Sequence, residues 1–229
     1  PPMRLLAIDT ALAACSAAVF DAEHGGIVAS ESLPMTRGHA EALIPLVKRV
    51  MDQAGVGFTA IDRVAVTTGP GSFTGLRVGL AAARGIALAA GKPAVGLSTL
   101  SIFAAPHMAT DDSYPVVAAI DARHSHVYLQ VFSAGGRTFS TPRLASLREA
   151  AAAVAEAPAC IVGTAAQQVA DALTNGGARP VIVDAQPAPD IAWVARMGAV
   201  VPEGQSPPTP QYLRAADAQP QYAAQLPRR

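Results

Sequence analysis

Two acids raise the question of chemistry first. Asp9 and Asp121 each close a short apolar run, as Ile8-Asp9 and Ile120-Asp121. Acids at strand ends that reach a cleft hold magnesium against nucleotide phosphates in many kinases and ATPases. The residues that follow speak against that role. Asp9 precedes Thr-Ala-Leu-Ala-Ala-Cys-Ser and Asp121 precedes Ala-Arg-His-Ser-His, with neither a glycine-rich hairpin nor a lysine. Bonds from each acid to the backbone amides of its own turn explain them as well. A second candidate is the loop Gly69-Pro70-Gly71-Ser72-Phe73-Thr74-Gly75, which leads into a helix whose free amides and dipole attract anions. It lacks the Gly-Lys-Ser/Thr of a Walker loop and the spacing of a dinucleotide fingerprint. Packing fits its residue types better: Gly69 and Gly71 for a tight turn, Ser72 or Thr74 as the N-cap, and Gly75 with Gly79 for close helix approach.

The histidines, at positions 24, 39, 107, 124 and 126, offer little more. A helix grips a metal with His-x-x-x-His, and the fourth residue after His39 is Leu43. His124 and His126 share one side of a strand but have no third ligand nearby. No serine stands in a Gly-x-Ser-x-Gly elbow, and neither Cys15 nor Cys160 has an evident histidine orienter. The expectation is a fold without metal and without a catalytic constellation of its own.

Composition narrows the class. The chain has 229 residues, 51% of them hydrophobic and 15% charged, which excludes a disordered chain and a fibre. Lys+Arg and Asp+Glu balance at 17 each, so the strong basic field of a stand-alone nucleic-acid binder is missing. Cys15 and Cys160 sit in apolar strand-like settings and read as buried free thiols in a reducing compartment. Arg77 and Arg84 interrupt the longest apolar run, and no leader pattern opens the chain. A soluble, cytoplasmic protein with no membrane contact is expected.

The elements that must position these residues follow from punctuation and period. Residues 4–10, 16–22 and 27–33 read as three strands joined by short turns, hence antiparallel. Residues 38–55 give a helix with one apolar face and Gly55 as its stop, with Pro45 predicting a late start or a kink. A strand at 63–68, a helix at 74–90, a strand at 94–97 and a helix from Ser98 to about residue 109 complete a βββαβαβα order. That order makes one mixed sheet flanked by helices, an RNase H-like lobe. The order then restarts: Ile120-Asp121, Val131-Phe132 and Ala134 repeat Ile8-Asp9, Val19-Phe20 and Ala22 at a constant offset of 112, the sign of an internal duplication. Strands at 137–145, 160–163 and 181–184 and helices at 146–156, 166–175 and 191–200 fill the second half. The expected organisation is an N-terminal lobe at 3–109, a C-terminal lobe at 114–200 and a proline-rich extended tail at 201–229. Two such lobes in tandem make the actin/sugar-kinase/Hsp70-like (ASKHA) α/β architecture.

One surface stands out. The first two helices combine small residues, among them Gly79, Ala81, Ala82, Ala83 and Gly85, with a wide apolar face at Leu43, Val47, Val50 and Met51. A helix lying on a sheet needs one apolar stripe, so the excess points to a partner's helices.

Several stretches together resemble the TsaB (YeaZ) family: LLAIDTALAACSAAVFD, RGHAEALIPLV, TTGPGSFTGLRVG, IDARHSHVYLQVF and TPQYLRAADA. The resemblance implies a part in forming N6-threonylcarbamoyladenosine beside the anticodon of tRNAs that read codons starting with A. TsaC or its longer relative makes the threonylcarbamoyl-adenylate. TsaD, a metal-bearing paralogue, transfers the group, and the ATPase TsaE joins. The resemblance implies a non-catalytic subunit that pairs with TsaD through the first two helices, with tRNA gripped mainly by TsaD and a homodimer formed in isolation. It implies no tightly bound cofactor, ATP or ADP entering only in the complex with TsaD and TsaE. The partner-contact residues expected on these helices are Leu43, Val47, Met51, Arg77, Ala81 and Arg84. A nucleotide-dependent phosphotransferase using Asp9 and Asp121 is the alternative, and a glycoprotease-like metallopeptidase a weaker one.

Overall fold

The computed structural model describes residues 3–155, 158–174, 180–202 and 204–213. Three strands, β1 (Arg4–Asp9), β2 (Ala14–Asp21) and β3 (Gly26–Pro34), form an antiparallel meander. The first two are buried almost throughout, which is why they read as continuous apolar runs. β4 (Arg63–Gly69) and β5 (Ala94–Ser98) add in parallel, giving the order β3-β2-β1-β4-β5. Two helices, α1 (His39–Ala54) and α2 (Phe73–Ala90), cover one face of this sheet. Both stop at a glycine in the left-handed region, Gly55 and Gly91. Pro45 does not delay or break α1. It sits on the exposed side, where solvent can satisfy the carbonyl that loses its donor.

The second sheet repeats the first. β6 (Val116–Asp121), β7 (His126–Phe132), β8 (Arg143–Ser146), β9 (Cys160–Val162) and β10 (Ile182–Asp184) pair in the order β10-β9-β6-β7-β8. β1 and β6 occupy equivalent central places and start 112 residues apart, at Arg4 and Val116. The tandem RNase H-like reading is thereby met. The strand expected at 137–145 is shorter, with β8 preceded by a single bridge from Phe132 to Thr138. The helix expected at 146–156 is also shorter: α4 spans Leu147–Ala152, opened by a capping box between Ser146 and Glu149. α5 covers Ala166–Thr174. The expected helix ends at residues 156 and 175 lie outside the described residues.

The lobes exchange helices. α3 (Thr99–Thr110) follows the first sheet in sequence, yet Leu100, Phe103 and Ala104 sit in the core of the second with Val116, Ile120 and Val162. α6 (Ile191–Val200) follows the second sheet, yet Ile191, Val194 and Ala195 pack on Leu5, Ala7, Ala65 and Val95 of the first. Boundaries at 3–109 and 114–200 therefore do not enclose separate cores. A helical stripe fixes that a face must be covered and is silent on which sheet covers it. α6 lies close: a Cβ at Gly198 would overlap that of Ala65. The buried Arg63 side chain holds its C-terminal turn, Nη1 donating to the carbonyls of Gly198 (2.8 Å) and Val201 (2.7 Å). Ser98, expected to cap α3, makes no cap bond, and its hydroxyl is buried without a partner.

The tail differs from expectation too. Described residues 204–213 form no helix or strand but lie against the first lobe, with Gly96 N–H donating to the Ser206 carbonyl (2.8 Å) and Gln211 N–H to that of Thr68 (2.7 Å). Residues 214–229, including Arg214 of the Tyr-Leu-Arg signature, lie outside the described residues.

Candidate functional site

A cleft of about 660 Å³ opens between the lobes, lined by Leu12, Ser72, Thr74, Asp121, Arg123 and Thr164 among others. The two acids are not brought together across it. Asp121 lines the cleft, and its Oδ1 accepts the Arg123 N–H at 2.8 Å. Asp9 is wholly buried below the turn after β1; its Oδ1 accepts from Thr67 Oγ1 (2.5 Å) and Ala11 N–H (3.2 Å), and its Oδ2 has no partner. A divalent cation held between the lobe acids does not fit this arrangement, since one carboxylate is sealed in the core. Burial pushes the Asp9 carboxyl up to about 6, against the lowering pull of the Thr67 and Ala11 bonds and nearby His39.

That shift has a measurable consequence. The folded value of about 6 lies above the 3.8 of a free carboxyl, so the folded state binds this proton more tightly. The penalty for burying the charge is absent below about pH 4, grows between pH 4 and 6, and is complete above that. Stability relative to an Asp9→Asn variant, which carries no titrating group there, should fall by roughly 2 kcal/mol between pH 4 and pH 7 in urea titrations. A difference that stays constant with pH would contradict the burial account.

The glycine loop serves packing. Ser72 is the N-cap of α2, its Oγ accepting Gly75 N–H at 3.3 Å. Ser72 N–H donates to the Ala11 carbonyl (2.7 Å), and Thr10 Oγ1 donates to the Gly75 carbonyl (2.7 Å). A Cβ at Gly71 would overlap the Ala11 carbonyl oxygen, one at Gly75 that of Thr10, and one at Gly79 the Thr10 hydroxyl. Gly69 stands at φ 107°, a left-handed value that favours glycine. The loop thus lets the start of α2 sit directly on the turn after β1.

His39 and His107 are each engaged singly. His39 Nε2 donates to the Leu12 carbonyl (3.2 Å), and His107 pairs with Asp184 (2.9 Å). Arg123, His124 and Ser125 are three successive residues at positive φ, in a turn where His126 Nδ1 donates to the His124 carbonyl (2.7 Å). Among the described residues, Asp21, Glu23 and His24 come close enough together for a metal, and there Arg4 already pairs with Asp21 at 2.8 Å. Cys15 is buried, and that burial, with Asp9 and Glu31 nearby, pushes its thiol up to about 11; burial also raises Cys160. Both thiols are inert at neutral pH.

The helix layer needs the largest correction. Leu43, Val47 and Met51, expected as partner contacts, are 1%, 1% and 2% exposed and form the core between α1 and its own sheet. The periodic stripe of an amphipathic helix goes to the nearest apolar surface, here the first sheet. The outward side of α1 is mostly polar (Glu41, Lys48, Arg49, Asp52 and Gln53), with Ala40, Pro45 and Ile44 as its apolar members, the last 55% exposed. α2 differs. Leu76, Leu80, Ala83 and Ala87 face inward, while Arg77, Ala81, Arg84, Gly85 and Leu88 remain outward, with Leu88 84% exposed. By length and composition α2 could cross a bilayer, and its outward Ala81, Gly85 and Leu88 leave an apolar stretch uncovered. Arg77 and Arg84 are outward but tied to the tail, Arg77 Nε reaching Tyr212 Oη at 3.4 Å and Arg84 Nε the Pro208 carbonyl at 3.0 Å. Sequence reasoning missed these ties, because nothing in a proline-rich stretch tells where it docks.

The family model described as "TsaD: tRNA N6-adenosine threonylcarbamoyltransferase" matches residues 13–168. The TsaB tRNA threonylcarbamoyladenosine biosynthesis protein of Escherichia coli is 40% identical over 126 residues, 55% of this chain and 53% of that protein. The chain thus spans about half the length of the curated TsaB relatives it matches. The uncharacterized protein Mb3455c of Mycobacterium bovis is 33% identical across 94% of each chain. Among solved structures, YeaZ from Pseudomonas aeruginosa superposes with a TM-score of 0.78 at 30% identity, covering 92% of this chain and all of that one. With its repeated sheet topology, its exposed second helix and these full-length likenesses, the chain belongs to the TsaB (YeaZ) family, within the wider group that the TsaD model describes.

Proposed function

We propose that this chain is a docking subunit for tRNA threonylcarbamoyladenosine formation, without catalytic chemistry of its own, and that its partner is TsaD. The observation that carries this reading is the outward side of α2. Ala81, Gly85 and Leu88 make a small, apolar stretch that allows another helix to approach closely. The buried state of Asp9 and the single engagement of His39 and His107 support a supporting role over a phosphotransferase or a metallopeptidase. TsaE and tRNA would join through TsaD, in the cytoplasm, and the same helix layer would pair two copies of this chain when TsaD is absent. Balanced charge suits a subunit that leaves the main grip on tRNA to its partner. Mixing the pure protein with TsaD, TsaE, threonylcarbamoyl-adenylate and unmodified tRNA, then omitting one component at a time, tests the reading. Modification should require this chain and TsaD together; transfer by this chain alone, or undiminished transfer without it, would overturn the proposal.

A further inference from the structure

After α6 the chain returns along the first lobe as a strap. Ser206 Oγ donates to the Gly96 carbonyl on the β5 edge, and a Cβ at Gly96 would overlap the Pro207 carbonyl oxygen. Gln211 N–H then reaches the end of β4 at Thr68, and the Tyr212 ring lies 5.2 Å from that of Phe73 in the first turn of α2. α1 packs over β2 and β3 and α2 over β4, so α2 lies between α1 on one side and the strap on the other.

The strap meets two guanidinium groups. Arg84 directs both Nε and Nη2 at the Pro208 carbonyl. Arg77 reaches Tyr212 Oη, with its Cζ 3.8 Å from the Phe73 ring centroid. On α1, Lys48 pairs with Asp52 at 2.5 Å and Arg49 with Glu31 at 2.6 Å. Every lysine and arginine of the two helices thus has a partner within the chain, and Ile44 on α1 with Ala81, Gly85 and Leu88 on α2 are exposed and uncharged.

We propose that residues 206–212 form one wall of the docking face, and that they act by holding Arg77 and Arg84 so that an apolar helix layer of TsaD can close on α2. This rests on the reading of α2 as the TsaD-docking helix. An unpaired guanidinium shut into an interface costs far more than one already hydrogen-bonded. The occupant follows from two observations. The TsaD family model spans α1 and α2, so TsaD carries a counterpart of this layer. A layer whose own cations are all engaged suits a neutral, apolar counterpart rather than an acidic one.

The test is a double-mutant cycle on the full chain, read as the Kd for TsaD by titration calorimetry. Deletion of residues 206–229 should raise Kd at least about tenfold, yet change it less than about threefold when Arg77→Met and Arg84→Met are already present. Tyr212→Ala, which leaves the strap backbone intact, should weaken binding only while Arg77 is present, and it keeps the cycle readable if the deletion lowers the melting temperature. An unchanged or tighter Kd on deletion overturns the proposal, as does an equal loss with and without the arginines, which would make the strap a purely structural part. Failure of the unaltered chain to bind TsaD would instead remove the docking reading, and this inference with it.

Discussion

Ala81→Arg should abolish capture by TsaD while leaving the melting temperature of the isolated chain within about a degree of the parent. Ala81 lies midway along the uncovered side of α2, one turn from Arg77 and one from Gly85. Arginine is a good helix former, so the exposed substitution costs the isolated fold less than about 0.5 kcal/mol. Across an interface the same side chain adds bulk where the small residues permit close approach, and it shuts in a charge without a partner. That penalty is on the order of 3–5 kcal/mol, or more than about a hundredfold in Kd. Light scattering of the mixed proteins would show two separate species. Retained binding with an unchanged melt would place the interface elsewhere.

Gly75→Val should have the largest effect on stability. The added Cβ meets the Thr10 carbonyl oxygen, which is backbone and cannot rotate away. Either α2 lifts from the turn after β1, breaking the Thr10–Gly75 and Ser72–Ala11 hydrogen bonds, or the turn shifts and disturbs buried Asp9. Overpacking of this kind costs about 3 kcal/mol, a fall of roughly 6–12 °C in Tm for a chain of this length. The result separates the two readings of the glycine loop. A glycine kept for anion binding would tolerate valine in the melt and lose only ligand, whereas a packing glycine loses stability with no ligand present.

How much of this was legible in the sequence depended on how local its cause was. The ends of β1, β2 and β4 and the stops of α1 and α2 were written in short apolar runs and in Gly55 and Gly91, and the structure follows them closely. The duplication was visible because β1 and β6 both end in an acid at a fixed offset. The exchange of α3 and α6 between sheets was not visible. Both helices are apolar around much of their surface because each lies between the lobes, and that pattern carries no address. The stripe at Leu43, Val47 and Met51 does not name its occupant for a related reason: it marks a buried face, and a sheet of the same chain buries it as well as a partner would. Asp9 and Asp121 look alike as strand-ending acids, yet one is sealed by Thr67 and the other lines a cleft, a difference set by residues far away in sequence. The strap was hidden most completely, since its ties are the Pro208 carbonyl on Arg84, the Tyr212 hydroxyl on Arg77 and bonds to Gly96 and Thr68, all more than about 100 residues apart in sequence.

The uncovered side of α2 can be measured directly by thiol labelling of an Ala81→Cys variant at low protein concentration. Cys15 and Cys160 are buried, so the thiol at position 81 is the reactive one. It should label at the rate of a free surface thiol when the chain is alone and be shielded at least about tenfold by saturating TsaD. A thiol that is already slow in the isolated, dilute chain, or one that labels equally fast with TsaD present, would contradict the account.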